Sequence, residues 1–238
     1  IIRQSTDRLN LFSPFQVDYF DKAKFFGDFK ELIRHPAQDI LEFADESIDE
    51  IYKLTEGNPF FTKFICDKLF KQACDKKDSY ISIDEAEEAI VDSIESLDLI
   101  NVNHFWIDGI WEDRSEERDQ IQTQRRKFLI AYAEVKRCNG RVKKNEILSS
   151  QILANIATDS MVENFTNRGI LLEEDDYFRL KPKLFDEWLV QRGSQLLTST
   201  FSDADALEEL KNKEDKAFIM DKEIVSLTNN WGLYRSTK

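Results

Sequence analysis

The stretch Thr55-Glu56-Gly57-Asn58-Pro59-Phe60-Phe61 is the part of this 238-residue chain whose residue types and spacing point most directly to chemistry. Gly57 accepts the left-handed backbone that ends a helix. Asn58 is a good N-cap for a following helix, and Pro59 fits that helix's first position, where no backbone N–H is needed. The spacing predicts helix, sharp corner, helix, with bare backbone N–H groups beside an aromatic pair. Such a helix start is a natural place for an anion or a nucleotide. The same residues also fit a corner with no ligand. Elsewhere the chain offers no nucleophile, acid–base pair or metal cluster, so no catalytic or metal-binding residue is assigned. His35 and His104 are its two histidines, and Cys66, Cys74 and Cys138 have no paired spacing. Those cysteines fit core packing in a reducing compartment, which predicts a cytoplasmic location. No GxxxxGKS or GxxxxGKT phosphate loop occurs.

The elements that must position the corner follow from composition and periodicity. Seven glycines and four prolines leave little linker, and dense charge with few β-branched runs predicts a mainly α protein. A net charge of −13 opposes DNA or an anionic membrane as a general partner. No apolar run is long enough to span a bilayer, and no signal peptide is visible. Ile1-Ile2-Arg3 fits a strand end, and residues 15–20 alternate like a short strand. Residues 24–34 form a helix with Phe25, Phe29, Leu32 and Ile33 on one face, broken at Pro36. Ser47 and Glu50 have capping-box spacing, with Ile48, Ile51 and Tyr52 along one side. After Pro59 two apolar ridges follow, Phe61-Phe64-Ile65-Leu69 and Cys66-Phe70-Cys74, as in a helix inside a bundle. Ser82 and Glu85 form a second capping box ahead of Ala86, Ala89, Ile90, Ile94 and Leu97. Residues 101–118 read as an aromatic connector whose Phe105, Trp106 and Trp111 dock between the halves of the chain.

The second half changes pattern. Residues 121–135 form a helix burying Phe128, Leu129, Tyr132 and Val135, stopped by Gly140. Short helices follow at 144–148 and 159–167, the latter with Met161, Val162 and Phe165 inward. Two apolar runs around Asp175-Asp176 read as a β-hairpin, and a closing helix starts at Leu184 and stops at Gly193. Three helices, a hairpin and a closing helix make a winged helix.

Residues 43–66, FADESIDEIYKLTEGNPFFTKFIC, resemble the lid of bacterial signal-transduction ATPases of the AAA+/STAND type, relatives of the replication-initiator-like ATPases. Residues 168–193, RGILLEEDDYFRLKPKLFDEWLVQRG, resemble the winged helix that follows the lid in those proteins. The resemblance covers roughly residues 15–193 and departs at Glu56, where a second glycine is usual. It implies an ATP-dependent switch in signalling or antiviral defence. Nucleotide would be sensed at Gly57, Asn58 and Pro59, and Arg3 would follow a sensor strand. It also implies a nucleotide-binding core upstream that holds ATP or ADP with Mg, none being bound by these residues alone. The expected organisation is the end of that core at 1–22, a helical lid at 23–100, the connector at 101–118 and a winged helix with one β-hairpin at 119–193. An acidic linker and the start of a further module then occupy 194–238. The implied partners are the core and a downstream effector, with a protein partner or a second copy besides.

A winged helix reads DNA with its third helix and a basic wing. Here the third helix carries Asp159 and Glu163, and the hairpin tip carries Glu173, Glu174, Asp175 and Asp176. The basic residues gather instead at Arg125, Arg126, Lys127, Lys136, Arg137, Arg141, Lys143 and Lys144, a candidate contact surface. Two alternatives to the switch stay open: a DNA-binding initiator-like module, and a protein-interaction scaffold derived from a degenerate ATPase.

Overall fold

The computed structural model describes residues 19–107, 115–154 and 156–199, and these are mainly helical with a few short strands. Ile1, Ile2, Arg3, most of the alternating run at 15–20, Trp111 and everything expected beyond residue 199 lie outside the described residues. Among the described residues no helix is long and apolar enough to cross a membrane.

Asp21 opens the first helix, α1 (Lys22–Arg34), by accepting from the backbone N–H groups of Ala23 and Lys24. Phe29 and Ile33 are its buried residues. Phe25 and Leu32, expected on the same face, are exposed; Phe25 sits at an irregular turn (φ −125°, ψ 21°) and is 48% accessible. Pro36 then lies in a 3-10 turn, His35–Ala37. Two short strands that carry no periodicity come next in space. β1 (Glu42–Phe43) pairs in parallel with β2 (Tyr80–Ile81), Glu42 opposite Tyr80 and Phe43 opposite Ile81.

This bridge sets the start of α2 (Asp45–Thr55), because the Ala44 N–H donates to the Ile81 carbonyl. The helix therefore begins ahead of Ser47, and the expected Ser47–Glu50 capping box does not form. Ser47 is buried and donates its hydroxyl to the Ile81 carbonyl, while Glu50 pairs with Lys53. Asp45 and Glu46 in the first turn complement the helix dipole instead. α3 (Pro59–Lys76) buries Phe61, Thr62, Ile65, Leu69 and Ala73. Its second ridge is not core: Cys66 is half-buried, and Phe70 and Cys74 are exposed. One side of α3 faces α2 and α4, and the other faces solvent.

The second capping box does form. At the start of α4 (Ile83–Ser96) the Glu85 N–H donates to Ser82 Oγ, and the Ser82 N–H donates to Glu85 Oε2. Ala86, Ala89, Ile90 and Ile94 are buried, with Leu97 just beyond. Ser82→Ala removes one acceptor of this reciprocal pair and is expected to cost about 1 kcal/mol of stability, measured by urea denaturation. No change would mean that Glu85 alone satisfies the helix start.

The described residues of the aromatic connector, 101–107 and 115–118, are helical. α5 (Leu99–Ile107) places Trp106 fully inside the protein and Phe105 against the core. α6 (Ser115–Asn139) follows and is longer than the 121–135 expected, ending at Gly140 with φ 72°. Then come β3 (Val142–Lys143), α7 (Lys144–Leu148), a 3-10 turn, α8 (Thr158–Asn167) and the hairpin β4 (Leu171–Glu174) and β5 (Tyr177–Leu180). The sheet is antiparallel with order β3-β5-β4, Val142 pairing with Phe178 and Leu172 with Arg179. β3 was not expected, since a two-residue strand has no pattern to read.

α9 (Lys183–Trp188) runs into one π-helical turn, Leu189–Gly193, and the chain stays helical to residue 199. Gly193 therefore does not stop the helix, contrary to the expectation from sequence. It makes room for the Trp188 ring, which a Cβ at Gly193 would meet at 2.6 Å.

The halves expected as separate units share one core. Phe61 of α3, Phe105 of α5 and Phe185 of α9 meet edge-on in sequence, at centroid distances of 5.1 and 5.0 Å. Trp188 stacks on Phe185 and donates its indole N–H to the Leu97 carbonyl at 2.9 Å.

Candidate functional site

The corner between α2 and α3 is built as its residues require. Glu56 caps α2 in the left-handed conformation (φ 48°), its N–H donating to the Tyr52 carbonyl, and Gly57 continues at φ 78°. Asn58 is extended, its side-chain oxygen accepts from the Phe61 N–H at 3.1 Å, and Pro59 takes the first position of α3. Left-handed backbone thus begins one residue earlier than expected, at a glutamate.

The corner is not bare. Gly57 and Asn58 are buried beneath the segment that leads into α1. The Phe20 N–H donates to the Gly57 carbonyl at 2.9 Å, and the Tyr52 hydroxyl donates to the Phe20 carbonyl at 2.7 Å. A Cβ on Gly57 would lie 2.3 Å from the Phe20 carbonyl oxygen, so glycine is required by space as well as by φ. Tyr19 lies beside Asn58. Burial pushes the Tyr19 hydroxyl pKa well above its ordinary value, and a hydrogen bond with the Asn58 side chain works against that rise. Of the N–H groups expected to be free, that of Phe61 is taken by Asn58. Phe60, the residue before it in that first turn, has no intrahelical acceptor for its N–H and is exposed.

The far side of the corner is covered by β5. Arg179 Nη1 donates to both carboxylate oxygens of Glu56, at 2.8 and 3.0 Å, and its Nε donates to Glu174 at 3.1 Å. Two residues on, the Lys181 ammonium lies 4.2 Å from the Tyr19 ring centroid, and the Tyr19 hydroxyl donates to the Lys181 carbonyl at 3.3 Å. Tyr19, Glu56, Arg179 and Lys181 were not assigned from the sequence. Glu56 had a signal, its departure from the expected glycine. The other three are separated from it along the chain and carry none.

The basic residues do not form one solvated surface. Arg125, only 4% exposed, donates to the Trp106 and Ile107 carbonyls at the end of α5 and to Asn164. Arg168 donates to the Trp106 and Phe105 carbonyls, so two guanidinium groups close that helix end, where its dipole favours cations. Arg126 is half-buried over the Trp106 ring, and burial lowers its pKa. Lys127 is half-buried. Lys136 pairs with buried Asp186, and Arg137 donates to Val190 and Ser194 around the π-helical turn. Arg141 lies over Tyr177, Lys144 pairs with Glu173, and Lys143 is exposed. Between α6 and the hairpin is a cleft of about 350 Å³ lined by Lys136, Arg141, Tyr177 and Arg179. Each of its cations meets an acid or a ring.

Asp159 and Glu163 on α8, and residues 173–176 at the hairpin tip, are exposed as expected. The chain matches no family model, no curated protein and no solved structure. Among the described residues no group of three or more His, Cys, Asp or Glu is arranged to hold a metal ion. All three cysteines are free thiols, and burial pushes that of Cys66 up to about 12.

Proposed function

We propose that this chain supplies the lid and winged helix of an ATP-dependent AAA+/STAND-like switch in bacterial cytoplasmic signalling or defence. The observation that carries the reading is the seat of the Gly57 corner. The chain arriving from residues 1–18, where the end of an ATPase core is expected, is hydrogen-bonded to the Gly57 carbonyl through Phe20. The opposite side of the corner is held by Arg179. A core that moves with its nucleotide would pull on the corner through Tyr19 and Phe20, and the corner would pull on the hairpin. The sheet order β3-β5-β4, with β3 between α6 and α7 and the β4–β5 hairpin after α8, supports a winged helix. ATP or ADP with Mg would belong to the core upstream, with Pro59 and Phe60 the nearest exposed part of α3. An effector downstream would receive the change.

The engagement of Asn164 by Arg125, and of Arg168 by α5, argues against α8 as a DNA reader, as do the exposed acids. The test compares ATP and ADP affinities of the protein containing this chain and its expected core, as wild type and as Pro59→Ala and Asn58→Ala. At least about a fivefold change in the ATP-to-ADP ratio is expected, the lower end of ordinary coupling energies. Unchanged ratios in both folded variants would leave the corner purely structural and favour the scaffold. The 238-residue chain alone is expected to release no phosphate from ATP above buffer.

A further inference from the structure

We propose that Glu56 and Arg179 form a latch through which the backbone of the α2–α3 corner and the β4–β5 hairpin hold each other in place. Glu56 occupies a left-handed conformation that glycine adopts without strain and a glutamate does not. What glutamate supplies there, and glycine lacks, is a carboxylate that meets Arg179 across 123 residues of sequence.

The hairpin is shaped to deliver the other half. Along β5, Phe178 and Leu180 point into the core, so Arg179 and Lys181 share the opposite face by the twofold period of a strand. Both land on the corner, Arg179 on Glu56 and Lys181 on Tyr19. The pair is sheltered, with the Arg179 and Glu56 side chains 35% and 22% exposed. Burial lowers the Arg179 pKa, but Glu56 and Glu174 more than offset it, so the guanidinium stays charged. Glu174 gives Arg179 a second acid within its own hairpin. If the Glu56 contact opens, Arg179 keeps a partner, which lowers the cost of opening.

The inference goes beyond the nucleotide reading and is tested without nucleotide, so the two fail separately. Hydrogen exchange is measured on the full chain as wild type, Glu56→Gly, Arg179→Gln and the double variant. Glu56→Gly removes the acid while relieving the left-handed residue, so global stability should hold or rise. The amides of Tyr177, Phe178, Arg179 and Leu180 should nevertheless exchange up to about fivefold faster, the range of a partly exposed ion pair. Arg179→Gln should speed exchange in turn at Asn58 and Phe61, whose N–H groups are bonded to the Thr55 carbonyl and the Asn58 side chain, since coupling is reciprocal. The double variant should add little to either single one. Unchanged hairpin exchange in Glu56→Gly, or fully additive effects in the double variant, would overturn the latch.

Discussion

Gly57→Val is expected to destabilise the protein by about 3 kcal/mol or more, combining a left-handed penalty of about 1–2 kcal/mol with a steric clash. The new Cβ would meet the Phe20 carbonyl oxygen at 2.3 Å and the Phe20 backbone nitrogen at 3.0 Å. Phe20 cannot step aside freely. Its N–H is donated to Gly57 itself, and its carbonyl accepts the Tyr52 hydroxyl at 2.7 Å. The Phe20 ring also packs edge-on to Phe29, 6.0 Å away in α1. Relief therefore means lifting Tyr19 and Phe20 off the corner and disturbing α1 behind them. Urea denaturation followed by circular dichroism measures the loss. A change of only about 1–2 kcal/mol would mean that the segment yields and that Gly57 is fixed by φ alone. This expectation also makes Gly57 a poor functional probe, which is why Asn58 and Pro59 carry the nucleotide test.

Trp188→Ala is expected to cost about 3–5 kcal/mol, the range for removing a large buried aromatic side chain. The ring is fully buried, stacked at 5.6 Å on Phe185 and seated over Gly193. Its N–H satisfies the Leu97 carbonyl at the end of α4, so the substitution also leaves a buried acceptor without its donor. The edge-on chain Phe61–Phe105–Phe185 continues the contact between the first helices and the second half. Helical signal and tryptophan fluorescence should therefore unfold together, in wild type and variant alike. Two separated transitions, only one of them shifted by the substitution, would show that the halves are independent domains.

Sequence pattern revealed what depends on local chemistry. Asn58-Pro59, Ser82 with Glu85, Gly140, the hairpin turn at Asp175-Asp176 and the short helix at 144–148 all carry their signal within a few residues, and the structure has each. Pattern misled where tertiary pairing overrode it. Ser47 and Glu50 have capping spacing, yet the β1–β2 bridge starts the helix earlier and turns Ser47 inward. Cys66, Phe70 and Cys74 make an apolar ridge, yet only Cys66 reaches the core, and Phe70 and Cys74 are exposed. Gly193 looked like a helix stop and is a contact for Trp188.

For the candidate site, the corner itself was legible and its surroundings were not. Tyr19 and Arg179 reach it from distant parts of the chain, and periodicity says nothing about which distant elements meet. The basic residues at 125–144 form a cluster in sequence but not in space, because a long helix sends its successive residues to different neighbours.

The central claim, that the Gly57–Asn58–Pro59 corner senses nucleotide, is tested most directly by hydrogen exchange at that corner. The protein containing this chain and its expected ATPase core is compared when saturated with ATP, with ADP, and without nucleotide. The account predicts that protection of the Gly57, Asn58, Phe60 and Phe61 amides differs between ATP and ADP while α4 is unchanged. Identical protection at the corner in both nucleotide states, with binding demonstrated in the same samples, would contradict it.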